Sequence, residues 1–522
     1  MPVNLSLYLV TDSTPAILKG RDLFWVVEEA LKGGVTVVQY RDKTSDTGVL
    51  IETAKKLHAI TQRYNVPLIV NDRVDVAIAA GAEGVHLGQD DMSLVEARKI
   101  LPKDAIVGIS VSTVEEAKLA TQQGADYVGI GTLFTTPTKT NTKNIIGPLG
   151  CREILEAIGD KEGAPNAVAI GGINLSTVRR VMIQSQATSK ALDGVAVVSA
   201  IMSAEDPKAA AEALSKSIEE SRQPLGPKMS DPSANQADYL LSQVPKVVQT
   251  MVSAHPLVHN MINYVVANFA ANVALAAGFS PIMSPYGDEA KDLAIHKGGL
   301  VINMGTLTSE SVPEYLKAIA AYNAHGNPVV FDPVGAGATH IRRSAVETLM
   351  KGGYFDLIKG NEGEIKQVFG QSKGVAQRGV DSGPSTLSDL EKAKMARDLA
   401  RRERNVVLMT GAVDYLSDGW RVIAIRNGHP FLGQVTGTGC SLGTISAAFL
   451  TTYREDKLLA VLAAALVYEI AAENAAAAKD RVRGPGSFVP AFLDELYAIR
   501  EAALQGSDTW FVGRAKIEEI RL

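Results

Sequence analysis

The segment VTVVQYRDK, at residues 35–43, joins an apolar, β-branched run to polar residues at its carboxyl end. Short runs of this kind recur over roughly the first 200 residues, and each is followed by a longer stretch of helical pattern. Eight strands alternating with helices predict a closed (β/α)8 barrel, the TIM barrel. A doubly wound sheet is the competing architecture, but no strand–GxGxxG–helix unit occurs. The eight runs lie at residues 5–12, 35–43, 66–72, 84–89, 105–110, 127–134, 167–173 and 194–201.

A second block, from about residue 238, alternates with longer helices and fewer strands. It contains no GxxxxGK[ST] motif, so any ATP used here is not bound by a P-loop. Between the blocks, SRQPLGPKMSDPSANQA at 221–237 is rich in proline and small polar residues, as linkers are. We therefore expect two domains, 1–220 and 238–522, joined by a linker at 221–237. The second domain is predicted to be a three-layer α/β domain with strands at 300–303, 328–332, 357–359, 406–410 and 422–425.

The composition is that of an ordinary globular protein, with 46% hydrophobic residues, 21% charged residues and a net charge of −5. Because there is no basic excess, neither nucleic acid nor an anionic membrane is an expected partner. The two cysteines, Cys151 and Cys440, are too few for a disulfide framework or a cysteine zinc site. The amino terminus shows no targeting pattern, and Asn268 and Glu469 interrupt the longest apolar stretches. We expect a cytoplasmic protein.

Gln39, Arg41 and Lys43 alternate along the first quoted run. A strand through all three would place their side chains on one face. At the carboxyl end of a barrel strand, an amide and two cations predict a polyanion site, for example for a diphosphate. The alternative is a solvated edge with scattered charge.

Asp72 and Asp91 end consecutive strand units. Two carboxylates beside phosphate-binding cations predict a Mg²⁺ site between protein and substrate oxygens. The alternative for each is N-capping of the following helix, which is the more common role for Asp91 taken alone.

Three further segments follow later strands: TTPTK at 135–139, the glycines at 171–172, and residues 198–199. Hydroxyl groups, exposed backbone N–H groups and Lys139 suit a phosphate, which barrels commonly bind after strands seven and eight. Taken singly, each segment is most often a turn.

Together these motifs resemble thiamine-phosphate synthases. That family joins hydroxymethylpyrimidine diphosphate to a thiazole phosphate and releases pyrophosphate. The resemblance implies a site that neutralises charge and aligns substrates, without a nucleophilic or basic side chain. It covers the whole first block, through QYRDK at 39–43, ND at 71–72, HLGQDD at 86–91, TTPTK at 135–139, IGGI at 170–173 and VVSAI at 197–201.

The resemblance also assigns residues to each ligand. Asp72 and Asp91 would bind Mg²⁺. The pyrimidine diphosphate would be held by Gln39, Tyr40, Arg41, Asp42, Lys43, Asn71, Ser110 and Lys139. The thiazole phosphate would be held by Thr136, Pro137, Thr138, Gly172, Val198 and Ser199.

In the second block, TGTGCSLG at 436–443 precedes a helix of small residues. Glycines before a helix expose N–H donors at its positive end, which suits an anion. Cys440 lies at this helix start, where the pKa of a thiol tends to fall, so a thiolate could accept a proton from a substrate hydroxyl. The alternative is a tight turn with a small buried cysteine. The spacing of Asn361 and Glu364 in KGNEGE, at 359–364, suits a Mg²⁺–phosphate site.

With DPVGAGAT at 332–339, these motifs resemble the ribokinase-type superfamily, in which an aspartate occupies the position of Cys440. Hydroxyethylthiazole kinases are the branch with cysteine there. The resemblance to them extends over PLVHNMINYVVANFAANVALAAGFSPIM at 256–283, MTGAVD at 409–414 and GPGSF at 484–488.

The kinase resemblance implies that Cys440 accepts the proton and that Glu364 binds Mg²⁺. Arg343 is the alternative to its neighbour Arg342 as the ATP arginine. The family also implies a trimer with sites between subunits, so we expect a homo-oligomer in multiples of three. The thiazole alcohol would contact Met283 and Gly437, and ATP would contact Arg342, Thr410 and Asn361.

One histidine pair, His255 and His259 in HPLVH, has a metal-like spacing. Pro256 lies between them and favours a turn over a helical zinc site, so we expect both to be structural.

The two resemblances predict one bifunctional enzyme of thiamine biosynthesis, since thiazole phosphate is the kinase product and the synthase substrate. Its small-molecule ligands would be the thiazole alcohol, ATP with Mg²⁺, and hydroxymethylpyrimidine diphosphate. The alternatives are a non-catalytic sensor of these ligands, or one active domain and one scaffold. A sensor predicts missing catalytic groups, yet the chain retains Arg41, Asp72, Lys139, Glu364 and Cys440.

Overall fold

The computed structural model describes residues 3–135, 145–222, 236–370 and 387–522. The chain divides into two compact units, Met1–Gln223 and Pro224–Leu522. Helices extend into both ends of the predicted linker, since one ends at Ser221 and the next begins at Gln236. Its middle, 223–235, lies outside the described residues, so the linker stays a prediction.

The strands of the first unit are β1 (Leu7–Val10), β2 (Val37–Tyr40), β3 (Leu68–Asn71), β4 (Gly84–Leu87), β5 (Ile106–Val111), β6 (Tyr127–Ile130), β7 (Asn166–Ile170) and β8 (Gly194–Val197). They form a closed barrel in which β1 pairs in parallel with both β2 and β8. This confirms the predicted TIM barrel. The helices are α1 (Pro15–Leu18), α2 (Leu23–Lys32), α3 (Thr47–Arg63), α4 (Val74–Ala80), α5 (Leu94–Ile100), α6 (Val114–Gln122), α7 (Gly147–Ile158), α8 (Leu175–Gln184), α9 (Ser199–Met202) and α10 (Pro207–Ser221).

Successive side chains of a barrel strand face the helices and the interior in turn. Leu7 and Leu9 of β1 pack outward, whereas Tyr8 and Val10 join the cluster that fills the interior. Because both faces are buried, the strands are continuously apolar and the polar residues begin only where the strands end. That edge is the face on which TIM barrels carry their active sites.

The second unit contains β9 (Leu257–Met261), β10 (Ser280–Met283), β11 (Gly299–Asn303), β12 (Val329–Asp332), β13 (Leu357–Asn361), β14 (Val406–Thr410), β15 (Asp414–Ser417), β16 (Val422–Ile425) and β17 (Ile517–Glu519). They form one sheet in the order β10-β9-β11-β12-β13-β14-β15-β16-β17, parallel up to β14 and antiparallel beyond it. All five predicted strands are present. The sequence-based prediction missed β9, β10, β15 and β17, which are short or interrupted by Pro281 and polar residues.

Helices cover both faces of this sheet, which confirms the predicted three layers. Val301 and Val330 pack into one core, and Leu300 and Phe331 into the other. The helices are α11 (Gln236–Ala254), α12 (Tyr264–Ala277), α13 (Ala290–Ala294), α14 (Ser311–Ala324), α15 (His340–Gly352), α16 (Glu362–Phe369), α17 (Asp389–Glu403), α18 (Thr438–Thr452), α19 (Lys457–Ala477) and α20 (Pro485–Leu504), with 3₁₀ turns at Gly287–Glu289 and Pro430–Gln434.

Among the described helices, α19 is the one long and apolar enough to cross a bilayer by length and composition. However, 89% of its apolar window is buried inside the protein. We therefore interpret α19 as a core helix of the second unit.

Candidate active sites

The carboxyl ends of three barrel strands bring three predicted pyrimidine-site residues to one edge. Gln39 lies on β2, Asn71 ends β3 and Ser110 lies on β5. The Gln39 side chain is 4% exposed, and its Nε2 donates to the Tyr8 hydroxyl at 3.0 Å inside the barrel. Ser110 Oγ lies 2.9 Å from His86 Nε2, so it too is anchored from within.

The prediction that Arg41 and Lys43 continue the alternation of β2 is wrong, because the strand ends at Tyr40. Asp42 ends it: its carboxylate accepts hydrogen bonds from the backbone N–H groups of Thr44 and Ser45 and closes a turn. Burial raises the pKa of Asp42, but these bonds outweigh it and leave the pKa below the usual value. The two cations therefore reach the strand ends from a loop, not from a strand face.

Asp72 and Asp91 form a carboxylate pair beside Lys43. The Lys43 ammonium lies 3.1 Å from Asp72 Oδ2, and Asp91 accepts a hydrogen bond from Gly88 N at 2.8 Å. Partial burial, followed by the neighbouring Asp72 carboxylate, raises the pKa of Asp91. The negative charges of the two carboxylates repel each other, and the fold holds them close despite this repulsion.

The N-capping alternative is wrong for both aspartates. The N-cap position of α4 is occupied by Arg73, and Ser93 caps α5. Asp72 has a positive φ of 61°, and its N–H donates to His86 O at 2.8 Å. Left-handed backbone at a non-glycine residue costs energy and is concentrated at functional positions. In the described part of the chain, no third Asp, Glu, His or Cys completes a metal cluster around this pair.

The glycines after β7 pack closely on the segment after β6. A Cβ at Gly172, where φ is 65°, would lie 2.8 Å from both Phe134 Cβ and Thr135 O. Only glycine fits this approach, so the two loops lie side by side. Val198 and Ser199 follow β8, with Ser199 the first residue of α9. The other predicted phosphate contacts, Thr136, Pro137, Thr138 and Lys139, lie outside the described residues.

In the second unit, the predicted thiazole residues meet at the start of α18. Gly437 caps this helix with a φ of 98°, and a Cβ there would lie 2.8 Å from Val266 Cγ1. Met283 and Cys440 both pack against an apolar cluster that contains Ile262 and Val266. Met283, Gly437 and Cys440 are therefore brought together around one small apolar surface.

A buried network of polar side chains lies beside Cys440, and the sequence-based prediction missed most of it. Lys359 Nζ lies 3.1 Å from Asp332 Oδ1, and both side chains are nearly inaccessible. Asn303 donates to the other oxygen of Asp332 at 2.8 Å and accepts from Asn263 at 3.0 Å. DPVGAGAT and KGNEGE contain the two charged residues, and the pairing of β12 with β13 places them side by side. The signal was thus present in motifs quoted for other residues.

The pKa expected for Cys440 is wrong in direction. The residue does lie in the first turn of α18. However, burial and the negative charge of Asp332 raise the pKa of its thiol to about 12. Partial helix charge at the terminus does not offset the loss of water and a nearby carboxylate.

Asn361 and Glu364 form a capping box at the start of α16. Asn361 Oδ1 accepts from Glu364 N at 3.0 Å, and Asn361 N donates to Glu364 Oε2 at 2.8 Å. Glu364 also accepts from Gly335 N, and burial together with Asp332 raises its pKa to about 7. Asn361 pairs in register with Thr410 of β14, so two predicted ATP residues are adjacent.

The Arg342 side chain hydrogen-bonds to backbone carbonyl groups. Its guanidinium donates to the carbonyls of Met304, Val334 and Gly305, at 2.6, 2.7 and 2.8 Å. The alternative, Arg343, donates to Gly337 O at 3.0 Å.

The two histidines, His255 and His259, contact different backbone carbonyl groups. His255 contacts the carbonyl of Gly278, and His259 is fully buried with Nε2 3.0 Å from Ser284 O. Burial lowers the pKa of His259, so it is a neutral core residue, which agrees with the structural role expected for it.

Family models match both units: "Thiamine monophosphate synthase" over residues 7–201 and "Hydroxyethylthiazole kinase family" over 248–502. A probable thiamine biosynthetic bifunctional enzyme of Schizosaccharomyces pombe is 42% identical over 99% of both chains. The chain belongs to the family of thiamine biosynthetic bifunctional enzymes. The Saccharomyces cerevisiae bifunctional enzyme is 37% identical over 95% of this chain and 96% of its own. A hydroxyethylthiazole kinase of Moorella thermoacetica is 45% identical over 49% of this chain and 92% of its own.

The protein therefore combines thiamine-phosphate synthase and hydroxyethylthiazole kinase domains, as predicted, and its kinase domain uses ATP. The barrel edge around Gln39, Asp72 and Ser110 is the synthase site candidate. The α18 start with Lys359 and Cys440 is the kinase site candidate.

Proposed function

We propose that Gln39, Asn71 and Ser110 hold the pyrimidine diphosphate at the barrel edge. Arg41, Lys43 and Lys139 would neutralise its phosphates, while Tyr40 and Asp42 fix the loop that carries the first two cations. The supporting observation is that Gln39 and Ser110 are both anchored from the barrel interior and lie at the end that carries Lys43 and Asp72. The thiazole phosphate would lie against Gly172, Val198 and Ser199, together with Thr136, Pro137 and Thr138.

Asp72 and Asp91 fit a Mg²⁺ ion. They offer oxygen ligands, and their mutual repulsion is relieved by a divalent cation. Because the pair supplies few ligands, water and substrate phosphate oxygens would complete the coordination, as is usual for Mg²⁺. When bound, Mg²⁺ supplies neutralisation of the departing diphosphate.

For the kinase, we propose Lys359 as the cation that faces the ATP phosphates. Arg342 donates to three carbonyls and so holds two loops together, whereas Lys359 lies next to Asp332 and interacts electrostatically with Cys440. Thr410 and Asn361 would contact the nucleotide, Met283 and Gly437 the thiazole alcohol. Glu364 with Asp332 offers carboxylate oxygens that fit Mg²⁺.

Mutagenesis should distinguish the roles of Lys359 and Arg342. Lys359→Met should lower the kinase kcat/KM by about 100-fold, because a charge that stabilises the transferring phosphoryl group is lost. Arg342→Met should leave that value within a few-fold and lower the melting temperature, because three carbonyls lose their donor. Steady-state kinetics and thermal unfolding measure both effects.

Lys359→Met also leaves the Asp332 charge buried and unpaired, which destabilises the domain. The double variant Lys359→Met/Asp332→Asn removes that charge, and we expect it to regain stability but not activity. Equal kinase losses in Lys359→Met and Arg342→Met would contradict the assignment.

We further propose that the second unit has a ribokinase-like fold and that the protein is cytoplasmic and assembles in multiples of three, without nucleic-acid or membrane partners. The support is the kinase resemblance and the composition. Light scattering of the full chain tests the stoichiometry.

One reaction mixture tests the whole assignment. Full-length protein with thiazole alcohol, ATP, Mg²⁺ and pyrimidine diphosphate should form thiamine monophosphate. Omitting ATP should stop the synthesis, and supplying thiazole phosphate should then restore it. A protein with one active domain would complete only half of this sequence, and a ligand sensor would complete neither step.

We also propose that the two halves act independently. Cleavage within 221–237 should give two folded fragments, each with its own activity within about twofold of the intact chain, because each unit has its own core. Aggregation or inactivity of both fragments would instead indicate an obligate interface.

A further inference from the structure

A chain of side-chain hydrogen bonds crosses the barrel interior. Gln39 Nε2 donates to Tyr8 Oη at 3.0 Å, and the hydroxyls of Tyr8 and Tyr127 are 2.7 Å apart. Tyr127 Oη lies 2.9 Å from His86 Nδ1, and His86 Nε2 lies 2.9 Å from Ser110 Oγ. The chain thus connects two residues proposed to hold the pyrimidine diphosphate through three that have no assigned role.

The donors in this chain have one consistent direction. Since Tyr8 accepts from Gln39 and is 1% exposed, its own hydrogen is available for donation to the neighbouring Tyr127 hydroxyl. In the neutral His86 tautomer with its proton on Nε2, Tyr127 donates to Nδ1 and the histidine donates to Ser110 Oγ. The Ser110 hydroxyl hydrogen is left pointing onward, as a donor to whatever lies at the barrel edge.

The barrel is shaped to hold these rings. A Cβ at Gly108 of β5 would lie 2.0 Å from Tyr127 Cζ, and a Cβ at Gly129 of β6 would lie 3.0 Å from His86 Cε1. Two glycines therefore leave the space that the Tyr127 and His86 rings occupy. Burial raises the pKa of both Tyr8 and Tyr127, so their hydroxyls stay protonated, as the chain requires. Burying these polar side chains in an otherwise apolar core costs desolvation free energy. Apolar side chains would fill the same space without that cost.

We propose that Tyr8, Tyr127 and His86 are positioning residues of the synthase, which orient Gln39 and make Ser110 a hydrogen-bond donor to the pyrimidine diphosphate. The proposal rests on the assignment of Gln39 and Ser110 to that substrate. By donating to His86 Nδ1, the Tyr127 hydroxyl favours the tautomer that carries its proton on Nε2. In the other tautomer, the Ser110 hydroxyl donates to His86 instead of to the substrate.

Tyr127→Phe in the full-length protein tests this role. We expect kcat/KM for the pyrimidine diphosphate to fall about tenfold or more, while the KM for thiazole phosphate is unchanged. Tyr64→Phe is the matched control, since it removes a hydroxyl that donates to Glu28 at 3.2 Å outside the chain. The kinase rate of the same preparation reports the amount of intact protein. Tyr8→Phe breaks the chain at another link and serves if Tyr127→Phe does not fold.

A double-mutant cycle with Ser110 distinguishes a positioning role of Tyr127 from a packing role. Ser110→Ala should cost much less in the Tyr127→Phe background than in the wild type, because the chain acts through that hydroxyl. Additive losses, or a Tyr127→Phe enzyme within twofold of wild type, would overturn the proposal and leave Tyr127 a packing residue. If Ser110→Ala alone were silent, the site assignment would fail as well, whereas the thiamine-phosphate synthase activity itself would stand.

Discussion

Asp72→Ala should lower condensation by about 10³-fold and leave ATP-dependent thiazole phosphorylation unchanged. Asp72 lies between the Lys43 ammonium and the Asp91 carboxylate, and it is one of the two carboxylates proposed to bind Mg²⁺ in the synthase site. Losing the charge stabilisation that a bound Mg²⁺ gives a departing diphosphate costs several kcal/mol, and about 4 kcal/mol corresponds to this factor. Initial rates of both reactions, measured on one preparation, show the separation.

Backbone strain has to be separated from ligand loss in this variant. Asp72 has a φ of 61°, which Asp and Asn tolerate better than Ala. Asp72→Asn keeps that tolerance and removes only the charge, so it should lose nearly as much synthase activity and less stability. Asp75→Ala is the matched control, since Asp75 is an exposed acid on the next helix, paired with Arg73.

Two outcomes would contradict the metal assignment. A folded Asp72→Asn variant with normal condensation at limiting Mg²⁺ would show that the carboxylate is not a ligand. A parallel fall of both activities would show that the aspartate supports the whole protein and not only the synthase site.

The fold of both units was largely predictable because buried strands leave a strong pattern. β1 buries Leu7 and Leu9 on one face and Tyr8 and Val10 on the other, so it is an unbroken apolar run between polar segments. Edge strands such as β10 and β17 bury less and need fewer apolar residues, and these were missed.

The placement of a site residue was predictable where it depends only on position along a strand. Asn71 and Ser110 lie at strand ends, as expected. The placement was not predictable where it depends on a local turn or on a partner that is distant in the sequence. The turn closed by Asp42 ended β2 before Arg41, and three carbonyls from two separate loops bind the Arg342 guanidinium. Sequence spacing contains no information on either.

The Cys440 thiol shows the same limit, because its pKa depends on burial and on Asp332, which is 108 residues away in sequence (440 minus 332). A thiol with a pKa of about 12 is almost fully protonated at neutral pH. If the thiolate is the proton acceptor, only a small fraction of the enzyme is active at pH 7. While the pH stays below the pKa, that fraction rises about tenfold for each unit by which the pH is raised.

Cys440→Ala should lower the kinase rate by roughly 10²–10⁴, the usual scale for a positioned acid–base group. Thiazole binding should change little, because the side chain is small and its proposed role lies in the transition state. Ready-made thiazole phosphate should restore thiamine monophosphate synthesis in this variant. Cys151→Ala is the matched control, since Cys151 is a buried cysteine in the core of the first unit.

The pH dependence tests the same role independently. The wild-type kinase rate should rise between pH 7 and 9, because the thiolate fraction rises while the thiol is far below its pKa. Cys440→Asp should retain or exceed wild-type activity at pH 7 and show a shallower slope, because the intrinsic pKa of a carboxylate is well below that of a thiol. The competing account assigns most of the catalysis to the α18 amino terminus and Lys359, which neutralise the transferring phosphoryl group. Under that account Cys440→Ala stays within a few-fold of wild type and keeps the wild-type pH profile, and such a result would remove Cys440 from the proton transfer.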